Sequence, residues 1–245
     1  MFRIAVPILV VALAAAFLFG FSPTQTSTEI ILPGTDYETA AYIYKSSKPG
    51  PAVLILGGVH GNEIAGSRAA EALRELDVVR GTMIIVPRVN TRALDAGVRT
   101  LPAIGDVNRA YPGSAAGTPA ERLADAIVSL MTRHQVSMVI DLHEARNFNR
   151  IDPTSLGQTI EFADNDKSAM LALAAVEYIN RSIRDQEAQF TFLANPIKGS
   201  GAYYAGRLGL TAFTLETCVK QPLEDRVFQH FELARFMLKE AGIIR

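Results

Sequence analysis

The sequence predicts an α/β fold in which a mixed, largely parallel central sheet is flanked by helices in a single domain. Apolar runs of strand length, such as 52–56 and 82–86, are continuous rather than alternating, which is typical of strands buried on both faces. Helical patterns separate these runs, so that strands alternate with helices along the chain. Hydrophobic residues make up 49% and charged residues 20% of the 245 residues, which is compatible with one sizeable core.

The first predicted elements follow a polar linker. Two short strands at 29–32 and 40–45 flank the turn signal Pro33-Gly34-Thr35-Asp36. The strand at 52–56 is broken by Gly57-Gly58 and followed by a helical pattern at about 63–76. The remaining predicted elements are strands at 82–86, 138–142 and 211–215 and helices at 119–133, 167–184 and 224–241.

Charge and cysteine content narrow the function classes. The chain has 24 Lys and Arg against 25 Asp and Glu, a net charge of −1, so it lacks the positive charge that binding to nucleic acid requires. Nucleic acid is therefore not an expected partner. The single cysteine, Cys218, cannot form an intramolecular disulfide and does not indicate a compartment.

The N-terminal segment predicts export. Residues 4–21 form an uninterrupted run of 18 apolar or small residues after Arg3. The following segment, 22–27, lacks an Ala-x-Ala cleavage site, so residues 1–22 are either a signal peptide or an N-terminal membrane anchor. Both alternatives place a domain at 23–245 outside the cytoplasm, as a periplasmic, secreted or membrane-anchored protein. Membrane contact is expected only through an uncleaved N-terminal segment.

Polar residues with metal-binding chemistry follow two of the buried strands. His60 and Glu63 come after the strand at 52–56, and His143 comes directly after the strand at 138–142. Open α/β sheets assemble their sites at the carboxyl ends of such strands. Two histidines and one carboxylate can hold Zn²⁺ and leave a fourth position for water, which is the pattern of a catalytic zinc site.

Further strand ends and loops supply candidates for the remaining chemistry. Glu216 ends the strand at 211–215 and is a candidate general base. Arg92, in Asn90-Thr91-Arg92-Ala93, and Arg109, in the segment 106–113, carry guanidinium groups suited to a carboxylate or a developing oxyanion.

Four segments together resemble the succinylglutamate desuccinylase/aspartoacylase family of the zinc carboxypeptidase superfamily. The resemblance covers about 53–218 and implies a zinc carboxypeptidase-like fold. It also implies that His60, Glu63 and His143 are zinc ligands. The segments, in chain order, are His60-Gly61-Asn62-Glu63, Asp106-Val107-Asn108-Arg109, Asp141-Leu142-His143 and Leu215-Glu216-Thr217.

The resemblance implies roles for the other residues. Glu216 matches the glutamate that deprotonates the metal-activated water and passes the proton to the leaving amine. Arg92 matches the arginine that polarises the scissile carbonyl, although Thr91 stands where the family usually has proline. Asn108 and Arg109 match the pair that binds a substrate carboxylate. Asp106 matches the carboxylate that orients a zinc-binding histidine, a role that metal chemistry also favours.

The expected function is a zinc-dependent hydrolase that cleaves an amide bond in a carboxylate-bearing substrate, as a deacylase of this family does. Export favours an alternative, a peptide or cell-wall carboxypeptidase. The sequence after Glu216 also favours a carboxypeptidase. It is short and predicted mainly as one helix, and it does not include the C-terminal β-domain that shapes the acyl pocket of cytoplasmic members. A non-catalytic module that binds zinc or a carboxylate ligand is a third alternative. The expected partner is a small molecule or peptide with a free carboxylate.

Other polar residues are predicted to be structural. His134 ends a helix, where a cation complements the helix dipole, and His230 lies within the closing helix. Glu144 follows His143 directly and therefore faces the opposite side of an extended chain, away from the metal. The superfamily that the chain resembles has a mobile tyrosine that closes over substrate, but the spacing of Tyr203 and Tyr204 from Glu216 does not match it well. Both are therefore predicted to be wall or core residues.

Overall fold

The computed structural model describes residues 24–245, which form one eight-stranded sheet and six α-helices. The strands are β1 (Thr24–Ile31), β2 (Thr39–Ser46), β3 (Ala52–Gly57), β4 (Thr82–Val86), β5 (Met138–Ala145), β6 (Thr159–Phe162), β7 (Thr191–Ala194) and β8 (Thr211–Cys218). The helices are α1 (Ile64–Leu73), α2 (Thr91–Ala96), α3 (Pro119–Arg133), α4 (Asp166–Asn180), α5 (Gly201–Arg207) and α6 (Leu223–Glu240). A 3₁₀ turn spans Val107–Arg109.

The sheet is mixed, with a parallel centre. The strand order is β1-β2-β4-β3-β5-β8-β6-β7. The four central strands, β4, β3, β5 and β8, run parallel to one another. On one side, β2 is antiparallel to β4 and β1 is antiparallel to β2. On the other side, β6 is antiparallel to β8, and β7 is parallel to β6. The predicted fold class is confirmed.

The core has two layers because the central strands are covered on both faces. Val53 and Ile55 pack on one face against apolar residues of α1, α4 and α6. Leu54 and Leu56 point to the other face and pack with α3 and α5. All four side chains are fully buried, as the continuous apolar run predicts.

The structure extends three predicted strands. β1 begins at Thr24, within the predicted linker, because it pairs with β2 over its whole length. β5 and β8 continue to Ala145 and Cys218, since their parallel pairing carries on past the apolar residues. Two helices end earlier than predicted, α1 at Leu73 and α4 at Asn180. The elements that the sequence did not predict are β6, β7, α2, α5 and the 3₁₀ turn.

The predicted leader at 1–22 lies outside the described residues, so its role stays a prediction. Within 24–245, no helix combines the length and the apolar character needed to cross a membrane.

Candidate active site

The candidate site lies at the carboxyl edge of the parallel strands β3, β5 and β8. His60 and Glu63 follow β3. His143 and Glu216 lie within β5 and β8, near the carboxyl ends of these paired strands. The Cα atoms of His143 and Glu216 are direct register partners. Their side chains share the face of the sheet that carries Val139, the face covered by α3 and α5.

The three side chains predicted to bind metal lie together and are buried. Their ligand atoms all lie within 4.8 Å of one another. Glu63 Oε1 is 2.8 Å from His60 Nδ1, and Glu63 Oε2 is 2.8 Å from His143 Nδ1. The two Nδ1 atoms are 3.2 Å apart. Two imidazole nitrogens and a carboxylate therefore converge on one point.

A close approach between two segments shapes the turn that carries His60. A Cβ atom at Gly61 would lie 1.9 Å from the backbone of Ala93, so only glycine fits where the turn meets α2. The preceding Gly58 has φ +67°, a conformation that side chains rarely adopt. The backbone of Arg92, next to Ala93, is thereby held beside the His60 turn.

A carboxylate lies behind each histidine. Asp106 Oδ1 is 3.1 Å from His60 Nε2 and also accepts a hydrogen bond from the backbone N–H of Asn108 at 2.9 Å. Asp141 Oδ1 lies 3.2 Å from His143 Nε2, an ion-pair contact outside hydrogen-bond geometry. Carboxylates in this position turn the opposite ring nitrogen toward a metal.

Arg99 is a site residue that the sequence analysis missed. Its Nη1 donates to Glu63 Oε1 at 2.8 Å, and its Nη2 lies 3.9 Å from Asp106 Oδ2. Arg99 lies in the loop after α2, where no periodic pattern indicates which side chains face the site.

Burial opposes ionisation of Glu63, but His143 and His60 lower its pKa well below the usual range.

Buried carboxyl groups surround Glu216. Burial, together with Glu63, Glu161 and Asp141, raises the pKa of Glu216 well above its usual value, while His143 opposes the increase. Glu161, on β6, is itself buried, and burial raises its pKa to about 7 against the opposing charges of His143 and Arg109. Both side chains therefore hold a proton more tightly than an exposed carboxyl group does.

A cleft opens above these residues. It has a volume of about 340 Å³, and His60, Glu63 and Glu216 are part of its lining. Two guanidinium groups, those of Arg99 and Arg146, also line it. The other lining residues are Asn62, Asn108, Glu144, Ala145, Thr154, Ser155, Leu156, Ile197 and Val219.

Of the predicted polar groups, Asn108 lines the cleft, whereas Arg92 and Arg109 do not line it in the described chain. Arg92 is exposed on α2, and its Nη1 is 2.8 Å from Asp36 Oδ2. Arg109 is exposed and donates to the Asn108 carbonyl at 2.7 Å. Burial raises the pKa of Asp106, but the hydrogen bond and charge of His60, followed by the charges of Arg99 and Arg109, lower it below its usual value.

The residues predicted to be structural lie outside the ligand cluster. His134 caps α3 and its Nε2 is 2.7 Å from Glu29 Oε1. Tyr203 and Tyr204 lie on α5, and Tyr204 packs against the core. Glu144 points away from the predicted metal ligand of its own strand, His143, as alternation along β5 predicts, and toward α1 and α6.

Comparison with known proteins identifies the family. Residues 49–241 match the model of the succinylglutamate desuccinylase/aspartoacylase catalytic domain. The chain belongs to this family. The resemblance found in the sequence motifs is therefore confirmed.

Relatives of this family member include one curated enzyme. The chain is 31% identical over 178 residues to N-alpha-acetyl-L-2,4-diaminobutyric acid deacetylase of Halomonas elongata. The alignment covers 66% of this chain and 52% of the relative, so the chain spans about half the length of that protein.

Solved structures that share the fold include a carboxypeptidase and a member of the same family. The mDAP-bound form of Helicobacter pylori Csd4, a D,L-carboxypeptidase, is similar with a TM-score of 0.72 and 21% identity over 79% of this chain and 51% of that chain. A succinylglutamate desuccinylase/aspartoacylase from Rhodobacter sphaeroides is similar with a TM-score of 0.70 and 22% identity over 91% of this chain and 66% of that chain. At these identities the likeness establishes the fold alone.

Proposed function

We propose that this family member is a zinc-dependent hydrolase that cleaves an amide bond in a carboxylate-bearing substrate. One observation carries the proposal: His60 and Glu63 of the buried His–Glu–His cluster line one open cleft together with Glu216, the register partner of His143. A site that only binds metal does not require a second buried carboxyl group beside Glu63, because burying such a group is costly.

The donor set of His60, Glu63 and His143 fits zinc. Ligand atoms about 2.0–2.2 Å from a tetrahedral zinc ion lie roughly 3.3 Å from one another. The two Nδ1 atoms are 3.2 Å apart, close to that arrangement, and each lies 2.8 Å from a different oxygen of Glu63. A zinc ion held there supplies a Lewis acid that lowers the pKa of a water molecule and polarises an amide carbonyl.

Glu216 supplies the proton transfers. Its carboxylate takes a proton from the attacking water and then gives it to the nitrogen of the leaving amine. Its raised pKa suits both steps, because a base that is too weakly basic cannot hold the proton until the C–N bond breaks. Its neighbour on β5, His143, keeps the carboxyl group beside the metal-binding cluster.

A guanidinium group is needed for the negative charge that develops on the carbonyl oxygen. We assign this role to Arg92. Its backbone lies beside the His60 turn, and its ion pair with Asp36 is exposed, so a rotation into the cleft breaks a contact worth at most about 1 kcal/mol. Arg99 is the second candidate because it already lines the cleft.

The substrate carboxylate is assigned to the polar wall of the cleft. Asn108 lines it, and Arg109 is adjacent along the chain. Arg146 adds a cation on the wall beyond β5, where its Nη2 donates to Thr154 Oγ1 at 3.0 Å. Guanidinium groups bind carboxylates through two parallel hydrogen bonds, which gives both affinity and orientation.

Two substrate classes follow from the relatives. The deacetylase from Halomonas elongata favours an N-acyl amino acid, and we take this class as the first candidate. The shared fold with Csd4 favours a peptide, which also suits the predicted export of the chain. A periplasmic, secreted or membrane-anchored location is part of this second proposal, and cell fractionation with the full chain tests it.

The deciding experiment measures metal content and turnover on the same preparation. Purified protein lacking residues 1–22 is assayed for zinc and for hydrolysis of a panel of acylated amino acids and a panel of peptides. About one zinc per chain with turnover on one panel supports the hydrolase and identifies its substrate class. Zinc without turnover on either panel favours a binding module, and the absence of bound metal refutes the site.

A further inference from the structure

Glu144 occupies an unusual position directly after the metal-binding His143. Its side chain is fully buried on the opposite face of β5. Glu144 Oε2 accepts a hydrogen bond of 2.9 Å from the backbone N–H of Ala65, the second residue of α1. A carboxylate is favoured there, because the first N–H groups of a helix lack partners within the helix and carry partial positive charge.

Arg226, on the first turn of α6, neutralises this carboxylate. Its Nη1 donates to Glu144 Oε1, and its side chain is only 13% exposed. The guanidinium is held in turn, because Nε donates to the carbonyl of Gln221 at 3.0 Å. The ion pair is therefore buried, fixed at both ends and unrelated to the predicted catalytic roles.

The ion pair joins the two segments that carry metal ligands. Glu63 immediately precedes α1, and one of its oxygens, Oε2, accepts a hydrogen bond of 3.1 Å from the backbone N–H of Glu144. Helix α1 also lies tightly on β5, since a Cβ atom at Gly66 would be 2.6 Å from the carbonyl oxygen of Leu142. The start of α1 and the end of β5 are thus fastened to each other at three points.

We propose that Glu144 and Arg226 are positioning residues that hold Glu63 and His143 in the arrangement that binds metal. The inference rests on the metal site of the proposed function. Removal of Arg226 leaves a buried carboxylate without its counter-charge, which is strongly unfavourable. Glu144 then turns toward water and releases the N–H of Ala65, so that the first turn of α1, and Glu63 with it, loses its fixed position.

The test measures zinc affinity by competition with a chelating dye. Arg226→Met keeps the length of the side chain and removes its charge, and we expect zinc to bind about 10- to 100-fold more weakly, as for other residues that orient metal ligands. Arg226→Lys restores a charge without the planar fork and is expected to recover part of the loss. Glu144→Gln keeps an acceptor for Ala65 and is expected to weaken binding by about tenfold.

Arg235 provides a matched control on the same helix. It forms an ion pair with Glu232 away from the site, so Arg235→Met is expected to leave zinc affinity unchanged. Unchanged affinity in Arg226→Met overturns the inference, and so does an equal loss in Arg235→Met. If Arg226→Met does not fold, unchanged affinity in Glu144→Gln has the same meaning. A wild-type chain that binds no zinc refutes the proposed function itself, and the inference with it.

Discussion

Replacing Glu216 by glutamine separates metal binding from catalysis. Glutamine has the size and shape of glutamate but cannot accept a proton from water at neutral pH. Glu216 is 6% exposed and is the register partner of His143, so the amide fits the same space without disturbing the sheet. The variant is therefore expected to bind about one zinc per chain, as the wild type does.

The magnitude follows from the two proton transfers assigned to this side chain. Loss of one positioned acid or base costs about 10²- to 10⁴-fold in rate. Glu216 acts in both water deprotonation and amine protonation, so we expect kcat to fall by about 10³-fold or more. This corresponds to roughly 4 kcal/mol of transition-state stabilisation at 1.36 kcal/mol per tenfold.

The assay compares kcat, KM and bound zinc in matched preparations. Glu224→Gln, at an exposed position on the first turn of α6, controls for the loss of a carboxylate and is expected to retain wild-type activity. His60→Ala is expected to lose both metal and turnover. Activity of Glu216→Gln within tenfold of the wild type refutes the reasoning, because the proton then has another carrier.

Three further predictions concern neighbouring groups. Arg92→Ala is expected to lower kcat by about 10²- to 10³-fold at unchanged zinc content. An unchanged kcat would show that a group other than Arg92 stabilises the oxyanion. Arg109→Ala and Arg146→Ala are expected to raise KM for a carboxylate-bearing substrate more than for its uncharged amide analogue; equal effects on both substrates contradict the carboxylate role. Glu161 has a pKa of about 7 when folded, above the usual 4.5, so the folded state holds its proton more tightly and stability falls as pH rises from about 4.5 to 7. Glu161→Gln is therefore expected to be more stable than the wild type by up to about 3 kcal/mol above pH 7, and equally stable below pH 4.5. Thermal unfolding of the metal-free chain measures the difference. A gain in stability that does not depend on pH contradicts the assignment of the effect to the raised pKa of Glu161.

The central strands and the ligand cluster were predictable because each has a strong local signal. The continuous apolar run at 52–56 indicates a strand buried on both faces, and His60, Glu63 and His143 follow such runs closely. A parallel sheet brings the ends of its strands to one edge. These residues could therefore be grouped without knowledge of the strand order.

The remaining site residues depend on tertiary contacts that no local pattern encodes. β6 is only four residues long and has Glu161 within it, so no apolar run marks it as a strand. Arg99 lies in a loop, and its contact with Glu63 spans 36 residues of sequence. Arg226 lies 82 residues from Glu144, and only the packing of α6 against the sheet makes them partners.

The proposed catalytic geometry depends on the register of β8. Side chains alternate along a strand, so a shift of one residue would turn Glu216 to the opposite face of the sheet, away from the ligands. The next residue, Thr217, lies on that opposite face, where its Oγ1 is 3.0 Å from Nε2 of His230 on α6. Burial lowers the pKa of His230 to about 3, so the ring stays neutral and the contact is a hydrogen bond between uncharged groups. His230 does not line the cleft, but its contact with Thr217 fixes β8 from the other side of the sheet and so helps to keep Glu216 beside the predicted metal ligands.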